Sequence, residues 1–313
     1  MNRVLFDPSP LGKTVLAAAV SVLCLIPPAG AQEAALTPVK SDIIDVGASA
    51  RVDYSGRLRM LSQKVAANAC QFAFRPGDPS HKDLLIDAIA QYEKFVLALR
   101  DGNDEIGIFG PEPSAITIRK IDALLAIWQP YRLAAEAVTQ GTEIEQNLSY
   151  IAANNQILLQ AAIEFASHIN ATYSNPAELT QANAMVLDIA GRQRTLTQKM
   201  SKEACGIESG NPAFGTAEDL LKTAALFDVS INALSTGMPD AGVMPPPTPE
   251  IGAALQVVIA DWATIKVDIE TFAATGPADP GGAETDLYDR FEVLLDSMIR
   301  IVEQYRDFAI LKI

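Results

Sequence analysis

The sequence predicts an all-α protein: two tandem up-down-up-down four-helix bundles that form a pseudo-two-fold internal dimer. Three observations predict it. One stretch of sequence returns at a fixed offset of 135 residues, apolar residues recur at spacings of three and four, and Gly/Pro-rich breaks cut each copy into four spans. Ala, Leu, Ile and Gln dominate those spans, and none alternates as a strand would.

The first element is a leader. Arg3 and Lys13 precede an apolar run from Val15 to Ile26, then Pro27-Pro28 and Ala29-Gly30-Ala31 before Gln32. A basic n-region, an h-region of about 12 residues and an A-x-A site read as a secretory signal peptide over residues 1–31, cleaved after Ala31. The alternative, an uncleaved anchor, needs more apolar length than this run has. A lipoprotein would need small residues before Cys24, and Ser21-Val22-Leu23 do not supply them. With no later apolar run of roughly 18 residues, the remaining chain is expected to be periplasmic and not inserted in a membrane.

The repeat defines the rest. Gly56-Arg57-Leu58-Arg59-Met60-Leu61-Ser62-Gln63-Lys64 returns as Gly191-Arg192-Gln193-Arg194-Thr195-Leu196-Thr197-Gln198-Lys199. Asp53 maps to Asp188, Cys70 to Cys205, Gly102 to Gly237 and Gly141 to Gly276, while Trp128 and Trp262 fall one residue short, as a loop deletion would cause. Of the 15 positions from Gly56 to Cys70, 8 are identical in the second copy, which chance does not produce in one register. The expected domains are residues 32–175 and 176–313. Helices are expected over 41–74, 81–101, 114–139 and 143–173, and again over 177–207, 217–236, 249–275 and 285–312. Helices joined by short loops pack as antiparallel neighbours. An even number per copy makes the first helices of both copies point the same way.

Composition narrows the function. The 313 residues carry 24 Lys+Arg against 38 Asp+Glu, a net charge of −14, and no segregated basic patch, so nucleic acid is not an expected partner. Loss of Arg3, Lys13 and Asp7 with the leader makes the balance one unit more negative. At 49% hydrophobic the chain can bury a core. Two histidines and three cysteines leave little material for a metal centre or a histidine-based triad. The Glu-x-x-His spacing of a di-iron bundle is missing, and Glu164 with His168 has no counterpart in copy two. No enzyme, metal or cofactor is expected.

On a helix, Gly56, Arg59, Gln63, Ala66 and Cys70 share one face, as do Gly191, Arg194, Gln198, Ser201 and Cys205. Leu58, Leu61 and Val65 form a neighbouring core stripe. Asp53 with Arg57, and Asp188 with Arg192, are spaced for i,i+4 ion pairs. Arg59 and Arg194 then lack a local carboxylate. A glycine one turn earlier suits the approach of a second backbone. If the two first helices face each other in parallel, the arginines converge, and an oxyanion between them relieves their repulsion. The competing reading is a solvated face whose arginines meet passing carboxylates; for Gln63 and Gln198 it is a simple tie between helices. Cys70 and Cys205, matched and facing in an oxidising compartment, suggest a disulfide, with two free buried thiols as the alternative.

Asp53 to Lys64 resembles the AGxxRMLSQR-type signature of the PilJ/NarX-like periplasmic sensor domain, the input module of type IV pilus chemotaxis transducers and nitrate/nitrite-responsive histidine kinases. The resemblance implies a four-helix bundle pairing through its first helices, with one nitrate held across the axis by an arginine from each side. Carried over by motif position, the ligand arginines are Arg59 and Arg194, close to the backbone at Gly56 and Gly191. The fused repeats would form that symmetric site within one chain. Arg57 and Arg192 stand where the nitrate-binding kinases have no arginine, and Thr195 replaces the signature Met. With a removable leader and no second membrane helix, the chain is expected to report to a membrane-bound receptor or sensor kinase. Its ligand is expected to be a small inorganic anion, nitrate or nitrite. The competing class is an interaction module of pilus or chemotaxis machinery that keeps the bundle without a ligand.

Overall fold

Among the described residues eight α-helices follow in order: α1 (Ala48–Phe74), α2 (Ser80–Asp101), α3 (Ala115–Thr139), α4 (Ile144–Tyr173), α5 (Gln181–Glu208), α6 (Ala217–Thr236), α7 (Pro249–Thr275) and α8 (Thr285–Ile310). This computed structural model describes residues 47–75, 79–173, 181–276 and 285–310; the expected leader lies outside them. No helix among the described residues is long and apolar enough to cross a membrane.

Local chemistry sets most ends. Ser114 and Thr248 cap α3 and α7, each hydroxyl accepting the N–H three residues on, at 3.3 Å. Thr216 and Asp219 form a reciprocal capping box on α6. The expected start of the first helix near 41 is corrected at Gly47. Its backbone is left-handed (φ 71°), and a Cβ there would lie 1.9 Å from the Gly107 carbonyl oxygen. The chain therefore enters α1 by a turn pressed against the α2–α3 loop. Helical periodicity also carried no sign of the short 3-10 turns at Asp104–Ile106 and Pro239–Ala241. Each is closed by a single bridge, Asn103 to Ile108 and Met238 to Val243, so the two loops match at the repeat offset.

Within each copy the four helices close a ring: α1 on α2 and α4, with α3 across, and α5 on α6 and α8, with α7 across. The cores correspond. Tyr92 stacks on Trp128 at 3.9 Å between ring centroids, and Phe227 packs on Trp262 at 4.5 Å. The indole N–H groups donate to Glu93 and to Asp228 (2.8 Å for the latter). Leu58, Leu61 and Val65 are buried in the first core.

The copies meet along α1 and α5. Cys70 and Cys205 form a disulfide with Cα atoms 6.2 Å apart. Further towards the N-termini, Asp53 meets Arg194 and Arg59 meets Asp188. Contacts in the same order at both ends make α1 and α5 parallel. Between them runs a polar seam. Gln71 donates to Ser201 Oγ (2.9 Å), Lys64 to Glu292 of α8 (2.6 Å), and Lys202 to Asn155 of α4 (3.2 Å). Because α1 touches its own bundle on one side and α5 on the other, it is buried almost all round while carrying Arg51, Asp53, Arg59, Gln63, Lys64 and Asn68.

Candidate functional site

A cavity opens between α1 and α5 at the level of the repeated motif, walled by α4 on one side and α8 on the other. Its volume of about 40 Å³ has room for roughly three water-sized particles. That is the scale of one small ion rather than of a sugar or an amino acid. The floor is built by Gly56, Arg59, Gly191 and Arg194, with Asp53 and Asp188 beside them.

The two guanidiniums converge. A Cβ on Gly56 would meet Nη2 of Arg59 at 3.4 Å and Nη2 of Arg194 at 3.8 Å; on Gly191 the same atoms would lie at 3.6 and 3.5 Å. The expectation that each glycine admits a second backbone is therefore corrected: the space above each glycine is taken by guanidinium. Both arginine side chains are buried, at 8% and 2% exposure.

Their carboxylates come from the opposite copy. Arg59 Nη1 donates to Asp188 Oδ1 and Arg194 Nη2 to Asp53 Oδ1, both at 3.1 Å. The same aspartates also take their local arginines. Arg57 Nη2 lies 2.9 Å from Asp53 Oδ2, and Arg192 Nη2 lies 2.6 Å from Asp188 Oδ2. Sequence spacing carried the local pairs but not the crossed ones, which exist only once the helices are docked. Burial pushes the Asp53 carboxyl up, yet Arg194 and Arg57 together outweigh it and hold its pKa below the ordinary value. Burial pulls both deep arginines down, with Asp188 opposing the shift at Arg59 and Asp53 at Arg194.

The balance is not complete. Arg194 Nε and Nη1 are buried with no hydrogen-bond partner among the described residues, and unmet donors on a charged, desolvated group are costly. Counting the lining alone, Arg59, Arg194 and Arg306 face Asp53 and Asp188, so cations outnumber anions. The arrangement suits an added anion.

Gln63 and Gln198 sit further along the seam towards the disulfide and do not line the cavity. Gln63 Nε2 donates to Ser62 Oγ (3.2 Å) and Gln198 Nε2 to Glu292 (2.8 Å), while both Oε1 atoms lack a partner. His81 Nδ1 lies 3.4 Å from Asn68 Oδ1, and His168 Nε2 lies 2.9 Å from Thr117 Oγ1. Sequence reasoning missed Arg306, because copy one has the neutral Asn170 at that place and the repeat gives no signal.

Fold and site together define a helical sensor-type module with a paired-arginine recess at its axis. The chain belongs to the PilJ family, described as the type IV pili methyl-accepting chemotaxis transducer N-terminal domain, whose model matches residues 45–161 and 179–280. Each matched segment falls within one repeat. The family is a signalling module. A relative is the methyl-accepting chemotaxis protein McpN of Pseudomonas aeruginosa strain PAO1, 23% identical over 274 residues. That alignment covers 82% of this chain and 44% of the relative, so the chain spans less than half of the transducer's length.

Proposed function

We propose that this protein is a periplasmic sensor that binds a small oxyanion, nitrate or nitrite in class, between Arg59 and Arg194, and reports the bound state to a membrane-bound partner. The binding unit is the pair of repeats, residues 32–175 and 176–313, acting as a fused dimer. The observation that carries the reading is the convergence of two buried guanidiniums over two glycines, with Arg194 Nε and Nη1 unpartnered among the described residues. An oxyanion there would accept from both arginines and take over donors now aimed at Asp53 and Asp188. The net negative charge of the chain does not oppose this, since its field is screened within about 8 Å at physiological salt. Membership of a chemotaxis-transducer family supports a signalling output through a partner.

Isothermal titration of the purified chain with nitrate and nitrite tests this. Saturable heat with one site per chain is expected, absent in an Arg59→Ala/Arg194→Ala double variant. No heat with nitrate, nitrite or sulfate would reject it.

A second reading has its own support. Each deep arginine already holds an aspartate of the other repeat at 3.1 Å, which suffices for a structural clamp in an interaction module of pilus or chemotaxis machinery. Under that reading the double variant loses thermal stability, and added anion leaves the melting temperature of the parent unchanged.

A further inference from the structure

The two-fold symmetry of the cavity fails at one wall. Arg306 reaches it from α8 of the second copy, whereas the matching lining position on α4 is the neutral Asn170. The Arg306 side chain is 32% exposed, against 8% and 2% for Arg59 and Arg194, so it stands at the rim above the deep pair.

Its charge is only loosely matched. Nη1 lies 3.9 Å from Asp53 Oδ2, outside hydrogen-bond reach, and that oxygen already receives Arg57 at 2.9 Å. Nε and Nη2 rest 3.2 and 3.1 Å from Oδ1 of the adjacent, exposed Asp307, a pairing that solvent weakens. Nearby Glu303 is engaged by Arg57 at 3.5 Å. A rim guanidinium placed this way adds one positive centre to a recess whose deep arginines are each balanced by an aspartate.

Resting on the anion-binding reading above, we propose that Arg306 tunes specificity, extending the nitrate-type site to doubly charged inorganic oxyanions of the sulfate type by raising their affinity relative to nitrate. Coulomb attraction to a fixed cation doubles when the ligand's charge doubles, so a third arginine favours the dianion selectively. A volume of about 40 Å³ admits one compact ion and not a longer dicarboxylate, which restricts the class to small oxyanions. Asymmetry is part of the reasoning: a planar monoanion on the axis needs only the matched pair, and nothing in it calls for a third donor from one side.

The test is a titration of the full chain with sodium sulfate and sodium nitrate at one fixed chloride ionic strength. Arg306→Ala, which removes the rim cation, and Arg306→Lys are compared with the parent. Expected in the parent is saturable binding of both ions. Arg306→Ala should weaken sulfate by about tenfold more than nitrate, with the parental ratio largely kept by lysine. Thermal melts of each variant verify folding. An unchanged sulfate-to-nitrate ratio in Arg306→Ala overturns the role of Arg306, as does a parent that binds nitrate but not sulfate; both leave the underlying site intact. A parent that binds neither ion rejects the site itself and the specificity with it.

Discussion

The two copies agree where they face each other and differ where they face away. Along the axis the match is close: crossed Arg–Asp pairs at 3.1 Å on both sides, guanidiniums disposed alike over both glycines, and cysteines joined at the matched position. Beside the chain entry to α1 the copies part. Arg51 is fully buried in copy one, donating to Leu99 O (3.0 Å), Gly110 O (2.8 Å) and Glu112 Oε2 (3.1 Å), with Tyr173 Oη donating to the same Glu112 oxygen at 2.6 Å. Copy two has Val186, Pro247 and Ala309 at the corresponding places. A whole ionic cluster is replaced by apolar residues, so the α2–α3 loop is pinned ionically to α1 while its counterpart is not. Duplication thus preserved the shared site and released its supports, as expected if only the axis must work as a pair.

The largest effect should come from cutting the shared part. The disulfide closes a loop of 135 residues, and a cross-link of that length stabilises by about 5 kcal/mol in the chain-entropy view. Cys70→Ala/Cys205→Ala should lower the unfolding free energy measured in denaturant by roughly 2–5 kcal/mol. The unreduced, denatured parent should show no reactive thiol from either residue, Cys24 being the remaining cysteine. Titration of both thiols in that assay would dispose of the bridge.

Next in size is the unshared cluster. Arg51→Val alone strands the buried Glu112 carboxylate and should cost about 3–5 kcal/mol. Arg51→Val/Glu112→Leu/Tyr173→Phe, which removes the charge together with its partners and keeps the residue-112 N–H that donates to Arg100 O (2.8 Å), should cost clearly less than the single change. Denaturant melts of both variants decide this. Additive losses would show that removing the charge together with its partners is not what makes the apolar set of copy two tolerable.

The helices were legible because their signals are local: the Gly/Pro breaks, and apolar positions such as Ala88, Tyr92, Phe95 and Leu99 at helical spacing, all buried. The paired face of α1 was legible only because it occurs twice. Taken alone, a helix with buried Arg59, Gln63 and Lys64 looks solvated, since periodicity cannot distinguish a polar interface from water. The crossed pairs were not readable, because Asp53 and Arg194 lie 141 residues apart and Asp53 already had a plausible local partner in Arg57. Arg51 and Arg306 were invisible for the opposite reason: each occurs in one copy only, and nothing near them in sequence marks them as buried or as lining a cavity.

Acid should distinguish the crossed pairs from each other. Asp53 titrates below its ordinary value of 3.8. Its contribution to stability is therefore fully present above about pH 4 and disappears as the pH falls through the lowered folded value. Thermal melts of the parent should show this loss only below pH 4, and Asp53→Asn should lack that part of the acid limb. Coincident acid limbs would remove Asp53 from the clamp. At neutral pH, Asp53→Asn should also cost more than Asp188→Asn, since the Asp53 side chain is 6% exposed and that of Asp188 27%.

The smallest effect on stability belongs to a change that still damages binding. Gly56→Ala and Gly191→Ala would place methyl groups 3.4–3.8 Å from the two Nη2 atoms, ordinary contact distances, in mid-helix positions where alanine is favoured over glycine by about 1 kcal/mol. Each variant should hold or slightly raise its melting temperature. The two methyls nevertheless occupy the space directly over both guanidiniums, where an anion would make its shortest contacts. The double variant should lose anion binding by at least tenfold while staying fully folded. A single substitution in either copy should act alike, because each glycine looks onto both arginines. If instead one copy's glycine proves silent to substitution, the site is not shared across the axis, and the symmetry between the copies is architectural rather than functional.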